Sequence, residues 1–202
     1  MVARTHTVPE ELELLDWRRR VFELYAEIRG AADPAAAWLH WREVRDELFR
    51  THSQSPRPGL TGVRYFDYDA DLRVTAAVVP APAAPQPIAG SAGSMIQFRR
   101  FARADFELAD AAHSLELYWL EGYGGGVFLP FTDTTSGRET YGAGRYLLDT
   151  VKGADLGVQD GRLVLDFNFA YNPSCSYDDR WACPLAPRAN RLDVAVRGGE
   201  RT

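Results

Sequence analysis

A chain of 202 residues, 46% hydrophobic and carrying five Trp, nine Tyr and ten Phe, can bury enough apolar surface to offset its chain entropy, which excludes global disorder and fits one domain over 1–202. Its net charge of -5, from 23 basic and 28 acidic residues, gives no general attraction to phosphate backbones or anionic lipid, so nucleic acid is not expected as a partner. No stretch approaches the ~20 apolar residues of a membrane span, and the first residues carry Pro9, Glu10, Glu11 and Glu13 where a signal peptide would be apolar; no membrane association and a cytoplasmic location are the expectations.

Residues 7–52 read as helical. From Thr7 to Arg29 the apolar residues Leu14, Trp17, Val21, Leu24 and Ile28 recur at helical spacing. Thr7 and Glu10 resemble a capping box, Pro9 suits a first turn and Gly30 a stop. A second helix starts at Asp33 and Pro34, an N-cap followed by proline in the first turn, and presents Trp38, Trp41, Val44, Leu48 and Phe49 on one face. Ser55-Pro56 and Pro58-Gly59 end it.

Residues 63–202 change period. Val63–Tyr68 and Leu72–Val79 read as strands joined through Asp69, Ala70 and Asp71 into a hairpin. Pro80–Ser91, with four prolines, reads as an exposed, mobile loop. Beyond it Ser94–Phe101, Phe106–Leu108, Ser114–Leu120, Val127–Phe131, Arg145–Val151, Arg162–Phe169 and Leu192–Val196 are strand-like, and Gly122–Gly126 suits a hairpin turn. So many short strands without intervening helices predict a mainly β (α+β) fold: two N-terminal helices packed on an antiparallel β-sandwich or barrel.

Three segments concentrate polar and aromatic residues: Phe131–Tyr146, Leu165–Tyr177 and Cys183–Glu200. The first offers Asp133, Arg138, Glu139, Tyr141, Arg145 and Tyr146 between two strands. A carboxylate and an arginine at a barrel mouth suit acid–base chemistry or anion recognition. Turn chemistry accounts for the same residues: Asp133 and Thr135 capping a turn, Gly137 and Gly144 at positive φ, Arg145 neutralising Asp133 or Asp166. In the second segment Asp166, Asn168, Ala170 and Asn172 alternate with Leu165, Phe167, Phe169 and Tyr171. The polar face serves a ligand, solvent or a buried network, depending on where it points. Cys175 and Cys183, with seven residues between them, match no zinc or redox spacing, and packed thiols or a facultative disulfide is the expectation. No metal or cofactor is expected.

The three segments resemble the signature blocks of the domain of unknown function 1684 family of bacteria and archaea: F-x-D-x-T-x-G-x-x-T-Y-x-x-G-R-Y, L-D-F-N-x-A-Y-N-P-x-C-x-Y, and C-P-x-x-P-x-x-N-x-L ending in G-E. Phe131, Asp133, Thr135, Gly137, Thr140, Tyr141, Gly144, Arg145 and Tyr146 match the first. Asp166 to Asn168, Ala170 to Pro173, Cys175 and Tyr177 match the second, and Cys183, Pro184, Pro187, Asn190, Leu192, Gly199 and Glu200 the third. The resemblance implies a grouping and no activity.

Two functions stay open. One is a small-molecule enzyme or ligand-binding protein whose polar pocket takes a polar or anionic molecule. Asp133, Asp166 and Glu200 are its candidate catalytic carboxylates, and Arg145, Tyr146, Asn168, Asn172 and Tyr141 its candidate ligand-binding groups. Asp133, Arg145 and Asp166 are expected to meet in space, because a guanidinium entering a core needs an anion. The other is a non-catalytic protein-binding or structural module using the helical pair or the aromatic strand Leu115–Leu120. Oligomeric state is not read from the sequence.

Overall fold

The computed structural model describes residues 8–202. Helix α1 spans Glu10–Gly30, with Pro9 as its N-cap residue and Glu10, Glu11 and Glu13 in its first turn, where acidic groups complement the helix dipole. The proposed capping partner Thr7 lies outside the described residues. Helix α2 spans Pro34–Thr51, and the Asp33 carboxylate accepts from the backbone N–H of Ala35 and Ala36. Leu24, Tyr25 and Ile28 of α1 and Ala37, Trp38 and Trp41 of α2 pack together against Ala154, Leu156, Val164 and Phe169.

Seven strands follow: β1 Arg73–Ala89, β2 Met95–Leu108, β3 Ala111–Leu120, β4 Gly126–Phe131, β5 Arg145–Asp149, β6 Val158–Gln159 and β7 Arg162–Asp166. They form one antiparallel sheet in the order β5-β4-β3-β2-β1-β7-β6. The sheet does not close into a barrel. Between its β5 edge and the chain beyond β7 the backbone link is a single bridge, Tyr146 with Tyr171. The space a barrel lumen would occupy is packed with Leu115, Leu117, Leu129, Phe131, Leu147, Leu165 and Phe167, all at most 2% exposed.

Pro80–Ser91 is not a mobile loop. Through Ala89 it is the second half of β1, paired with β2 from Ala84↔Arg100 to Ala89↔Met95 after an irregularity between Pro80 and Ala84. On its other side β1 pairs with β7 only over Arg73–Ala76, so the proline half has a flank without a strand partner, which the Leu185 N–H meets only at the Ala89 carbonyl. Pro85 and Pro87, two residues apart, can turn their missing N–H toward that flank while Ala84, Gln86 and Ile88 serve the ladder.

The expected hairpin at Asp69–Asp71 is also absent. Ala70–Leu72 is a turn of 3-10 helix, and Tyr65 bridges to Glu200 instead of β1. Leu192–Val196 forms no strand, although Leu192 N–H reaches the Thr132 carbonyl at 2.8 Å. The C-terminal segment thereby lies along residues 64–66, 132–134 and 170, which brings Glu200 into the centre of the molecule.

Candidate functional site

The sequence-predicted residues fall into separate clusters. Asp133 and Arg145 do meet: Arg145 Nη2 donates to Asp133 Oδ2 at 2.7 Å, with both side chains at most 1% exposed. Phe131 and Arg145 are opposite each other in the β4–β5 ladder, which places the loop carboxylate over the strand's first residue. The guanidinium also donates to the carbonyls of Val196 (2.8 Å), Glu200 (3.2 Å) and Gly198. Burial lowers the Arg145 pKa and Asp133 opposes the shift. The other oxygen of Asp133 takes the Thr135 N–H at 2.5 Å, and Gly137 and Gly144 have positive φ, so the turn-chemistry account describes this block. At Gly144 a Cβ would stand 2.6 Å from the Phe131 carbonyl oxygen.

Asp166 does not join them. Its Oδ1 accepts from Asn168 N–H (3.0 Å) and Asn168 Nδ2 (2.8 Å), and Arg73 Nε stands 3.8 Å from its Oδ2. Asn168 in turn holds both the N–H and the carbonyl of Asp69. The expected cluster of three is therefore a pair, with Asp166 and Asn168 in a different buried network that fastens β7 to the chain before β1.

Glu200 is fully buried and central. Its Oε1 pairs with Arg45 Nε, and its Oε2 accepts from Asn172 N–H at 2.6 Å and Tyr177 O–H at 2.7 Å. Gly199 makes this possible. Its φ is +72°, and a Cβ there would lie 2.1 Å from the Ala170 carbonyl oxygen, so only glycine lets the chain pass close enough. Arg45 lies over the rings of Trp41, Phe49 and Tyr171 at 4.9 to 5.7 Å. Burial works against its charge, yet Glu200 holds its pKa above the ordinary value. Burial and the Glu200 charge push the Tyr177 pKa well up, so its phenol stays a donor.

Tyr146 buries its ring against Phe128 and Tyr171 and donates its O–H to the Pro184 carbonyl. Tyr141 stands 3.8 Å from Cys175 Sγ, and burial raises its pKa to about 12.

Seven of the eight candidate groups thus make internal contacts, while Asn172 borders open space. Asn172 is 4% exposed, its Oδ1 has no hydrogen-bond partner, and it lines a pocket of about 240 Å³ with Arg57, Arg64, Ser176, Tyr177 and Arg201. Ser176 Oγ is likewise buried without a partner. Among the described residues none of the three arginines pairs with an acidic side chain, although Arg64 Nη1 donates to the Thr202 carbonyl oxygen at 3.4 Å. No carboxylate or imidazole side chain lines this pocket. A broader groove of about 890 Å³ lies beside Val74, Thr75 and Phe106, where Arg103 pairs with Asp105 and Arg162 donates to Thr75.

Sequence reasoning missed Arg45, Arg57, Arg64, Ser176, Tyr177 and Arg201 as members of a site. Arg45 carried a signal: it falls between Trp41 and Phe49 on the apolar face of α2, where a charge requires a buried partner. Of the three rim arginines, Arg57 and Arg64 are seven positions apart and Arg201 is distant from both, and no sequence signal joined them.

Comparison with known proteins places these residues within a family. Residues 59–201 match the family described as "Protein of unknown function (DUF1684)". The chain is similar to the solution structure of an uncharacterised protein from gene locus rrnAC0354 of Haloarcula marismortui, with 33% identity over 83% of this chain and 93% of that one and a TM-score of 0.61. No curated protein matches.

Proposed function

The chain belongs to the DUF1684 family of proteins of unknown function, and we propose that it binds a small hydroxylated anion, such as a hydroxy acid or a phosphorylated polyol, in the pocket beside Asn172. The observation that carries this reading is the coincidence, around one pocket, of three arginines without an acidic side-chain partner and two lining residues, Asn172 and Ser176, whose buried side-chain oxygens lack partners. Buried polar atoms without a partner cost roughly 1–3 kcal/mol each, a cost a ligand hydroxyl would remove. Guanidinium groups supply carboxylate or phosphate with paired donors.

Each part of the fold contributes to that geometry. Glu200 accepts from the Asn172 N–H and the Tyr177 O–H, which fixes the pocket wall, and Arg45 neutralises the carboxylate from behind. Glu200 and Asp133 are consumed by these internal bonds. With no side-chain carboxylate or imidazole in the lining, the pocket suits binding better than general acid–base catalysis.

The test is calorimetric titration with glycerol 3-phosphate, citrate and inorganic phosphate, at constant ionic strength. The hydroxylated anions should bind, and Arg57→Gln with Arg64→Gln should weaken them by about tenfold or more for two lost charge-assisted contacts. No heat with any of the three probes, or equal binding by the double variant, would reject the reading.

A further inference from the structure

We propose that Cys175 and Cys183 form a peroxide-oxidisable dithiol, in which Cys175 is the attacking sulfur and Cys183 the resolving one. The two cysteines adjoin in the fold: Cys175 N–H donates to Cys183 Sγ at 3.3 Å. Each sulfur is carried by an independently anchored segment. Cys175 sits in the 3-10 turn Ser174–Ser176. Cys183 is clamped to the end of β1: its carbonyl takes the Ser91 N–H at 2.9 Å, its N–H donates to Ser91 Oγ at 3.0 Å, and Gly90 bridges Pro184. The fold thus holds Cys183 Sγ against the backbone of Cys175, although seven residues separate the two in sequence.

Their surroundings divide the roles. The neighbouring Cys183 brings the Cys175 thiol down to about 6 against the effect of burial, and the Tyr141 hydroxyl, 3.8 Å from Cys175 Sγ, acts in the same direction. The neighbouring Cys175, with burial, pushes the Cys183 thiol up. These opposite directions, with Cys175 the more exposed of the two (7% against 2%) and the Tyr141 hydroxyl beside its sulfur, give Cys175 the attacking role and Cys183 the resolving one.

Oxidation then runs in two balanced steps. The Cys175 thiolate attacks the peroxide, forming an S–O bond as O–O breaks; the leaving hydroxide or alkoxide takes a proton and departs as water or an alcohol. Cys183 next attacks Cys175 Sγ, forming S–S as S–O breaks, and its own proton leaves with the hydroxide as water. Two thiols are oxidised by two electrons and one peroxide is reduced. With the thiols 7% and 2% exposed, the reaction is restricted to an oxidant as small as a peroxide and excludes a bulky disulfide such as oxidised glutathione.

The experiment treats folded, reduced protein with hydrogen peroxide or with oxidised glutathione, denatures it, alkylates it and measures intact mass. Peroxide should abolish both labels and remove two hydrogens from the monomer, while oxidised glutathione leaves two labels. With dimedone present, Cys183→Ser should trap one adduct at Cys175, and Cys175→Ser should react about tenfold more slowly or not at all. Wild-type protein that keeps both labels after peroxide, or oxidises only into cross-linked dimers, overturns the proposal without reference to either variant. A dimedone adduct that maps to Cys183 reverses the roles and equally overturns it.

Discussion

Asp166 is the carboxylate whose charge the fold supports least well. It is 1% exposed and its Oδ2 has no hydrogen-bond partner, while Arg73 stands 3.8 Å away. Burial raises its pKa to about 6, against the opposing Asn168 hydrogen bonds and Arg73. An unfolded Asp titrates near 3.9. A group whose pKa rises on folding contributes stability that is complete below the unfolded value and lost as pH climbs through the folded one, here between about 4 and 6. Asp166→Asn keeps an acceptor for the Asn168 N–H and removes the charge. Its urea-unfolding free energy should therefore lack that fall, and at pH 7 should exceed the parent's by on the order of 2 kcal/mol. Equal pH slopes for the two proteins would show that burial does not govern this carboxylate. Asp133, equally buried, differs because Arg145 and a turn amide occupy its oxygens. The alternating pattern around Asp166 displayed a polar face in sequence, and only the tertiary partners separate a strained carboxylate from a satisfied one.

At the scale of elements, α2 shows how directly a local signal can act. Asp33 caps Ala35 and Ala36, and Pro34 follows at the first helical position, as the residue order predicts. Asp33→Ala should cost about 1 kcal/mol in chemical denaturation, with Asp33→Ser recovering most of it; no loss on truncation would mean that tertiary packing alone sets this helix end. The elements that escaped the sequence did so for tertiary reasons. Prolines at 80, 82, 85 and 87 suggested a loop, but the flank of β1 without a strand partner and the irregularity after Pro80 accommodate them in a strand. The segment Val63–Tyr68 has strand composition and pairs with the distant Glu200, a partner that local turn signals cannot indicate. Leu192 and Val196 are core residues of an irregular segment whose backbone bonds go to residues 132 and 134 and to the Arg145 side chain, so their apolar spacing imitated a strand.

Across the whole molecule, two buried arginines tie the C-terminal segment to the rest. Arg145 binds three of its carbonyls to the β5 edge, and Arg45 binds Glu200 to α2, so the helices, the sheet and the last residues share one polar centre. The signature residues in the sequence were legible as important; their division between scaffold and pocket depends on this long-range docking. The arrangement predicts cooperative unfolding. Arg45→Met leaves Glu200 buried without a counter-charge, and Glu200→Gln leaves Arg45 facing a neutral amide, so each should cost roughly 3–5 kcal/mol. Arg45→Met combined with Glu200→Gln removes both charges and keeps a hydrogen-bonding group near Asn172 and Tyr177. Its cost should fall below the sum of the singles by at least about 1 kcal/mol, because contacting groups couple. Far-UV circular dichroism, which weighs the helices heavily, and near-UV signals from the aromatic core should trace one coincident transition in parent and variants alike. Additive costs, or helices that melt before the sheet, would show that the Arg45–Glu200 pair does not join the two layers energetically.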